Sequence, residues 1–190
     1  MKTLRHSFFI IGIIMLLMAA GCSSKEKGTP LKDFKFTDEN NQAFGLKDMK
    51  GKVWITDFVF TSCTSVCPPM THNMSELQKM VKKEGLKDVG FVSFSVDPTV
   101  DTPQGLKEYA AKYDADLATW HFLTGYSQDK IQDFALDNFQ ALVKKPKNDD
   151  QVIHGTSFYL INKNGERVKS YSGVKDVPFD QIIKDIKDQE

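Results

Sequence analysis

Lys52 to Phe60, KVWITDFVF, is the stretch that most limits what this chain can become. β-Branched and aromatic side chains fill it without the alternation of a strand that faces water on one side, so it belongs in the middle of a sheet covered on both faces. Covered sheets need helices, and one follows at once. Between Cys67 and Lys83 the apolar residues Met70, Met74, Leu77, Met80 and Val81 recur at helical spacing. VGFVSFSV (Val89 to Val96) is a second buried strand. Helices are expected from Thr102 to Tyr113, opened by Pro103 in the first turn, and from Ser127 to Phe139. SFYLIN (Ser157 to Asn162) is a third strand, KNGE a turn, and RVKSYSG the returning arm of a hairpin, with a last helix from Pro178 towards Lys187. Upstream, Phe34 to Phe36 and Ala43 to Leu46 flank the turn-rich TDENNQ and read as a further hairpin. The order predicts an α/β sandwich with a mixed central sheet and an N-terminal β-hairpin extension.

The N-terminus is built differently. Lys2 and Arg5 precede the apolar run FFIIGIIMLLM (Phe8 to Met18), and AAGC ends at Cys22. The run holds 11 residues, whereas a spanning helix needs about 20. A basic start, a short apolar core and small residues before a cysteine make an export signal and resemble a bacterial lipoprotein signal. Residues 1–21 are then the signal, residues 22–30 a lipidated cysteine with a small polar tether (SSKEKGTP), and residues 31–190 the working domain. The chain is 41% hydrophobic and 26% charged, as in ordinary globular proteins. Loss of residues 1–21 removes two basic and no acidic residues from a balance of 25 to 25, leaving 23 to 25. Without a basic surplus, no nucleic-acid partner is expected.

With Cys22 assigned to the lipid, Cys63 and Cys67 remain, in a compartment where disulfides form. They stand in TSCTSVCPP, where the first central strand gives way to its helix, the edge at which α/β proteins place ligands. Four helical residues rise about 6 Å, so the two sulfurs are expected on one face, near the upper limit for a disulfide. The helix N-terminus favours thiolate. Thiolate both attacks disulfides and binds metal, so the pair alone leaves the two chemistries open. A purely structural bridge this local would constrain little unfolded chain.

A third ligand separates these readings. His72 falls on the solvated side of the cysteine helix, and His121, in ATWHFLTG, shapes a loop or strand end. His154 stands directly before the third strand, after KKPKNDDQ, which reads as a mobile loop. The element order and the cysteine placement resemble a thioredoxin-like fold, in which that loop lies beside the cysteine helix. Two thiolates and one imidazole suit copper, most naturally three-coordinate Cu(I), with Cu(II) if a further ligand joins. Met70 and Met74 are soft donors too, but their spacing places them in the core.

Four pieces in order, FTSCTSVCP, FSVDPTVDTP, WHFLTG and HGTSFYLIN, resemble the Sco (SenC) family of copper proteins over nearly the whole exported domain. Val100 stands where that family usually has arginine. The resemblance implies copper held by Cys63, Cys67 and His154, and a role near the site for Asp97. Asp97 ends the strand beside the first central one, where it either orients a ligand from behind or balances protons during redox change; with Pro98 it also suits a simple turn. The resemblance further implies work on the outer face of the cytoplasmic membrane, in assembly of cytochrome c oxidase. The partner is then the subunit bearing the oxidase's binuclear CuA centre, which receives copper, has its cysteines reduced, or both.

Two rival enzymes fit less well. Thiol–disulfide oxidoreductases of the thioredoxin class carry CxxC and a proline before the strand that starts here near Ser157, where this chain has HGTSF. TSVCP resembles the core of peroxiredoxin-like peroxidases around Cys67. That pattern wants a proline seven residues earlier, at Phe60, and an arginine beside the thiolate, whereas the exported part has Arg167 alone, in a hairpin.

Overall fold

All seven residues of β4 (Val53–Val59) are buried, and so are all seven of its parallel neighbour β5 (Val89–Ser95). The computed structural model describes residues 28–147 and 149–190. Six strands form the main sheet, in the order β1 (Thr29–Pro30), β10 (Glu166–Ser172), β9 (Ser157–Ile161), β4, β5 and β6 (Trp120–Leu123). The β4, β5 and β6 ladders are parallel, while β9 runs antiparallel to both β4 and β10, so the sheet is mixed. In register, Trp54 lies opposite Gly90, where a Cβ would run into the indole.

The helices follow from local chemistry. α2 (Cys67–Lys83) starts with prolines in its first turn, where their missing N–H groups cost nothing, and buries Met70, Met74, Leu77 and Val81. Thr102 caps α3 (Pro103–Ala111) through the amide of Gly105 at 3.1 Å, and Ser127 caps α4 (Gln128–Phe139) through that of Lys130 at 3.2 Å. The closing helix α5 (Phe179–Gln189) buries Ile182, Ile183 and Ile186.

The N-terminal hairpin of β2 (Lys35–Thr37) and β3 (Ala43–Gly45), followed by the single turn α1 (Leu46–Met49), is part of the core. Phe34 and Phe36 place their rings 5.1 and 5.2 Å from Phe134 of α4, and Phe34 also contacts Phe94 of β5 at 5.7 Å. A backbone bridge between Thr37 and Thr124 ties this hairpin to the edge of the main sheet beyond β6.

The expected sandwich, mixed sheet and hairpin are all present. Four short strands are additional: β1, β6, and a small hairpin of β7 (Val143–Lys144) and β8 (Ile153–His154). Thr29 and Pro30, expected at the end of the tether, pair with Arg167 and Glu166, so the folded unit begins before residue 31. Proline is tolerated there because β1 is an edge strand. The signal at residues 1–21 and Cys22 lie outside the described residues. Among the described residues, no helix is long and apolar enough to cross a membrane.

Candidate metal centre

Cys63 lies on the loop after β4, and Cys67 is the first residue of α2. Helical rise therefore does not set their separation, as the spacing had predicted. The loop curls instead, and the Cys67 amide donates to the Cys63 sulfur at 3.3 Å. Its start is fixed by buried Asp101, whose carboxylate accepts from the Thr61 hydroxyl at 2.6 Å and the Thr61 amide at 3.2 Å. Both thiols are free and buried, Cys67 fully and Cys63 with 9% exposure.

His154 arrives from β8, held by its pairing with Val143 of β7. Its Nδ1 lies 2.8 Å from the Gly155 carbonyl, which can only accept, so the ring proton sits on Nδ1. The bare Nε2 then faces the Cys67 sulfur at 3.2 Å. Phe60 packs edge-on against the ring, with centroids 5.7 Å apart. The two sulfurs and the imidazole nitrogen all lie within 4.8 Å of one another.

The sequence profile of the SCO1/SenC family matches residues 23–189. This chain belongs to the SCO1/SenC family. A SCO1/SenC family lipoprotein from Bacillus anthracis str. Ames superposes with a TM-score of 0.84 at 53% identity, over 87% of this chain and 98% of that one. BsSco, a member of the Sco family of cytochrome c oxidase assembly proteins in which a disulfide switch was identified, gives 0.79 at 46% identity, covering 86% and 95%. Bradyrhizobium japonicum ScoI, solved with copper bound, gives 0.70 at 27% identity, covering 85% and 100%. These neighbours carry the thioredoxin-like fold expected from the element order.

In this SCO1/SenC chain the sulfurs are electrostatically unequal. The Cys67 thiol, donating to Cys63, pulls the Cys63 thiol down to about 3 against the effect of burial, with help from the amides of Ser65 and Cys67. The same hydrogen bond, together with burial and the charge on Cys63, pushes Cys67 up. One thiolate and one thiol therefore share a proton, the more exposed sulfur carrying the charge. Beneath them, burial pushes Asp57 of β4 up to about 7, opposed by a 2.6 Å hydrogen bond from Ser93. Its Oδ2 is buried without a hydrogen-bond partner.

Asp97 is 1% exposed and hydrogen-bonds none of Cys63, Cys67 and His154. Its Oδ1 accepts from Lys145 Nζ at 2.6 Å and from Thr99 at 2.8 Å. Lys145 directly follows β7, so Asp97 grips the hairpin that presents His154. Gln151 grips it from the other side, donating to the Ser62 carbonyl at 3.3 Å and accepting from the Thr64 amide at 3.4 Å. The segment expected to be a mobile loop is thus tied at both ends to the walls of the site. His72 is exposed, and Met70 and Met74 lie in the core, as their spacing predicts. His121 sits in β6, apart from the cysteines. Val100, where the family usually has arginine, is 54% exposed.

Sequence reasoning missed Asp57, Asp101, Lys145 and Gln151. A lone carboxylate inside the apolar run of β4 was a signal in itself, because an isolated buried charge demands an explanation. Asp101 stood in view within FSVDPTVDTP. Nothing local marked Lys145 or Gln151.

Proposed function

We propose that this chain is a membrane-anchored, extracytoplasmic carrier whose cargo is a copper ion held by Cys63, Cys67 and His154, serving assembly of the CuA centre of cytochrome c oxidase. The observation that carries this reading is the convergence of two sulfurs and one imidazole nitrogen within 4.8 Å. The donor set fits copper: it is soft, partly shielded from water, and its imidazole is already in the tautomer that leaves Nε2 free. Cys63 is poised as thiolate, so only the proton on Cys67 must leave when metal enters. Copper bound to a relative 27% identical, and the oxidase-assembly role of the family of one 46% identical, support the reading.

In this reading residues 1–21 are removed, Cys22 carries the lipid, and the residues up to 28 lead from the outer face of the cytoplasmic membrane to the domain, which opens with β1 at Thr29. The CuA-bearing subunit is the partner. Titration of the reduced full chain with copper tests the function. With Cu(I), saturation at one ion per chain and a near-ultraviolet sulfur-to-copper charge-transfer band are expected; absence of that band would remove sulfur from the site and end the proposal.

The unequal thiols favour a second reading, in which the protein reduces a partner disulfide. The Cys63 thiolate attacks one partner sulfur and the other partner sulfur leaves as thiolate. Cys67 then gives up its proton, for which Nε2 of His154 is 3.2 Å away, and attacks Cys63. A Cys63–Cys67 disulfide forms, the second partner thiol is released, and two electrons have passed. Accumulation of a mixed disulfide on Cys63 in a Cys67→Ser chain supports this step; its absence with an oxidised CuA-type partner peptide excludes it.

A further inference from the structure

The described residues contain a second cluster of metal-ligating side chains, which neither copper nor thiol chemistry uses. Asp38 and Glu39 lie in the turn between β2 and β3, and His121 lies on β6, the edge strand of the main sheet. The side chains of Asp38 and Glu39 are 8% and 0% exposed, and that of His121 is 23% exposed. Its Nδ1 lies 3.9 Å from Asp38 Oδ2 and 3.8 Å from Glu39 Oε1, too far for a hydrogen bond to either. That nitrogen is buried and, among the described residues, has no hydrogen-bond partner. From these positions we infer that Asp38, Glu39 and His121 form a site for a divalent first-row cation of the zinc type, separate from the thiolate centre, which fastens the N-terminal hairpin to the sheet edge.

The distances, the charges and the supporting contacts agree. A cation about 2.0–2.2 Å from each ligand atom spans nitrogen–oxygen gaps of this size, with the ligands drawing in slightly. Two buried carboxylates place two negative charges in one spot, and among the described residues no lysine or arginine forms a salt bridge with either. An imidazolium would leave one charge uncompensated; a divalent cation with neutral imidazole leaves none.

Each ligand is also held from behind, as metal ligands are. Asp38 Oδ1 accepts from the amides of Asn40 and Gln42 at 2.9 and 2.7 Å, which turns Oδ2 towards the imidazole. Glu39 Oε2 accepts from the Phe122 amide at 3.0 Å, and Oε1 from Asn40 Nδ2 at 2.6 Å. The imidazole lies over Phe44 of the same hairpin, with ring centroids 4.7 Å apart. Glu39 and Asn40 line a surface cleft with Thr102, Gln104 and Lys107, and the partly exposed His121 side chain reaches solvent. With one imidazole and two carboxylates the set is far harder than Cys63, Cys67 and His154, so it selects Zn²⁺ over Cu(I).

The test uses the full chain carrying Cys22→Ser, Cys63→Ser and Cys67→Ser, so that no thiolate competes for metal. Titration with Zn²⁺ should saturate at one ion and raise the melting temperature. Co²⁺ should give visible d–d bands without thiolate charge transfer. Asp38→Asn keeps the acceptor for Asn40 and Gln42, and His121→Gln keeps a polar group in the gap. Each should weaken Zn²⁺ binding at least about 10-fold and abolish the thermal shift. If His121→Gln fails to fold, Asp38→Asn decides alone. No Zn²⁺ binding by the cysteine-free chain, or binding unchanged in Asp38→Asn, overturns the site.

Discussion

Nε2 of His154 faces the Cys67 sulfur at 3.2 Å, although 87 positions separate the two residues in sequence. The hydrogen bond of Nδ1 to Gly155 fixes both tautomer and ring direction, so the imidazole is held with Nε2 already turned to the cysteines. His154→Ala should therefore leave both thiols titratable while lowering copper affinity by at least about 100-fold, because a two-coordinate site replaces a three-coordinate one. Competition with a chelator of known affinity measures this. Parent-like affinity in the variant would exclude His154 from the site.

The ion pair of Lys145 with Asp97 makes a different prediction. Asp97 is 1% exposed and the Lys145 side chain 24%, so loss of the lysine strands a buried carboxylate. Lys145→Met should destabilise the fold by about 2 kcal/mol. Its distinctive effect should be local, with faster amide exchange across residues 143–154 and about 10-fold weaker copper binding at unchanged stoichiometry. Exchange that stays at parental rates in that hairpin would show that Asp97 serves only its own turn.

Asp57 sets a pH dependence. Its carboxyl is held at about 7 in the fold, against an ordinary value of 3.8, because it is fully buried. The folded state thus keeps a proton that the unfolded chain releases. The group's favourable contribution is complete below about 4 and declines by about 1.4 kcal/mol per pH unit until about 7. Above that, an ionised carboxylate is buried with Oδ2 unpartnered. Asp57→Asn removes this slope, so the variant should gain on the parent by a few kcal/mol between pH 4 and 8. Urea unfolding at both pH values gives the comparison, and the difference between the two proteins cancels the thiols' own titration. A difference that does not grow with pH would mean that Asp57 titrates normally.

What was legible in the sequence, and what was not, divides by the range of the interactions. α2 was found with both ends correct because its apolar period is a local signal. β4 and β5 were found because seven consecutive buried positions leave no other reading. The strands β6, β7 and β8 span four, two and two residues, too few for a period to show, and tertiary pairing alone defines them. The candidate ligands Cys63, Cys67 and His154 were named through residue chemistry and family resemblance together. The curl that joins Cys63 to the Cys67 amide was not, because helix geometry was carried back into a loop that Asp101 holds in another shape. The grip of Lys145 on Asp97 spans 48 positions and leaves no local trace.

The asymmetry of the thiols is the most direct quantity to check. Cys63 is held at about 3 chiefly by the hydrogen bond from the Cys67 thiol, and Cys67 is pushed up by the same bond. Iodoacetamide at pH 5 should therefore modify Cys63 well before Cys67, by at least about 10-fold, since only the thiolate reacts and Cys67 is 0% exposed. Cys67→Ala removes the donor that stabilises the Cys63 thiolate. The alkylation midpoint of Cys63 should then move up towards the ordinary thiol range, leaving it slow at pH 5 and fast only in mild alkali. Thiolate absorbance near 240 nm, followed from pH 3 to 10, reads the same titration without chemical modification. If Cys63 titrates equally in the parent and in Cys67→Ala, the thiols do not share a proton, and the nucleophile in the reductant reading has lost its activation.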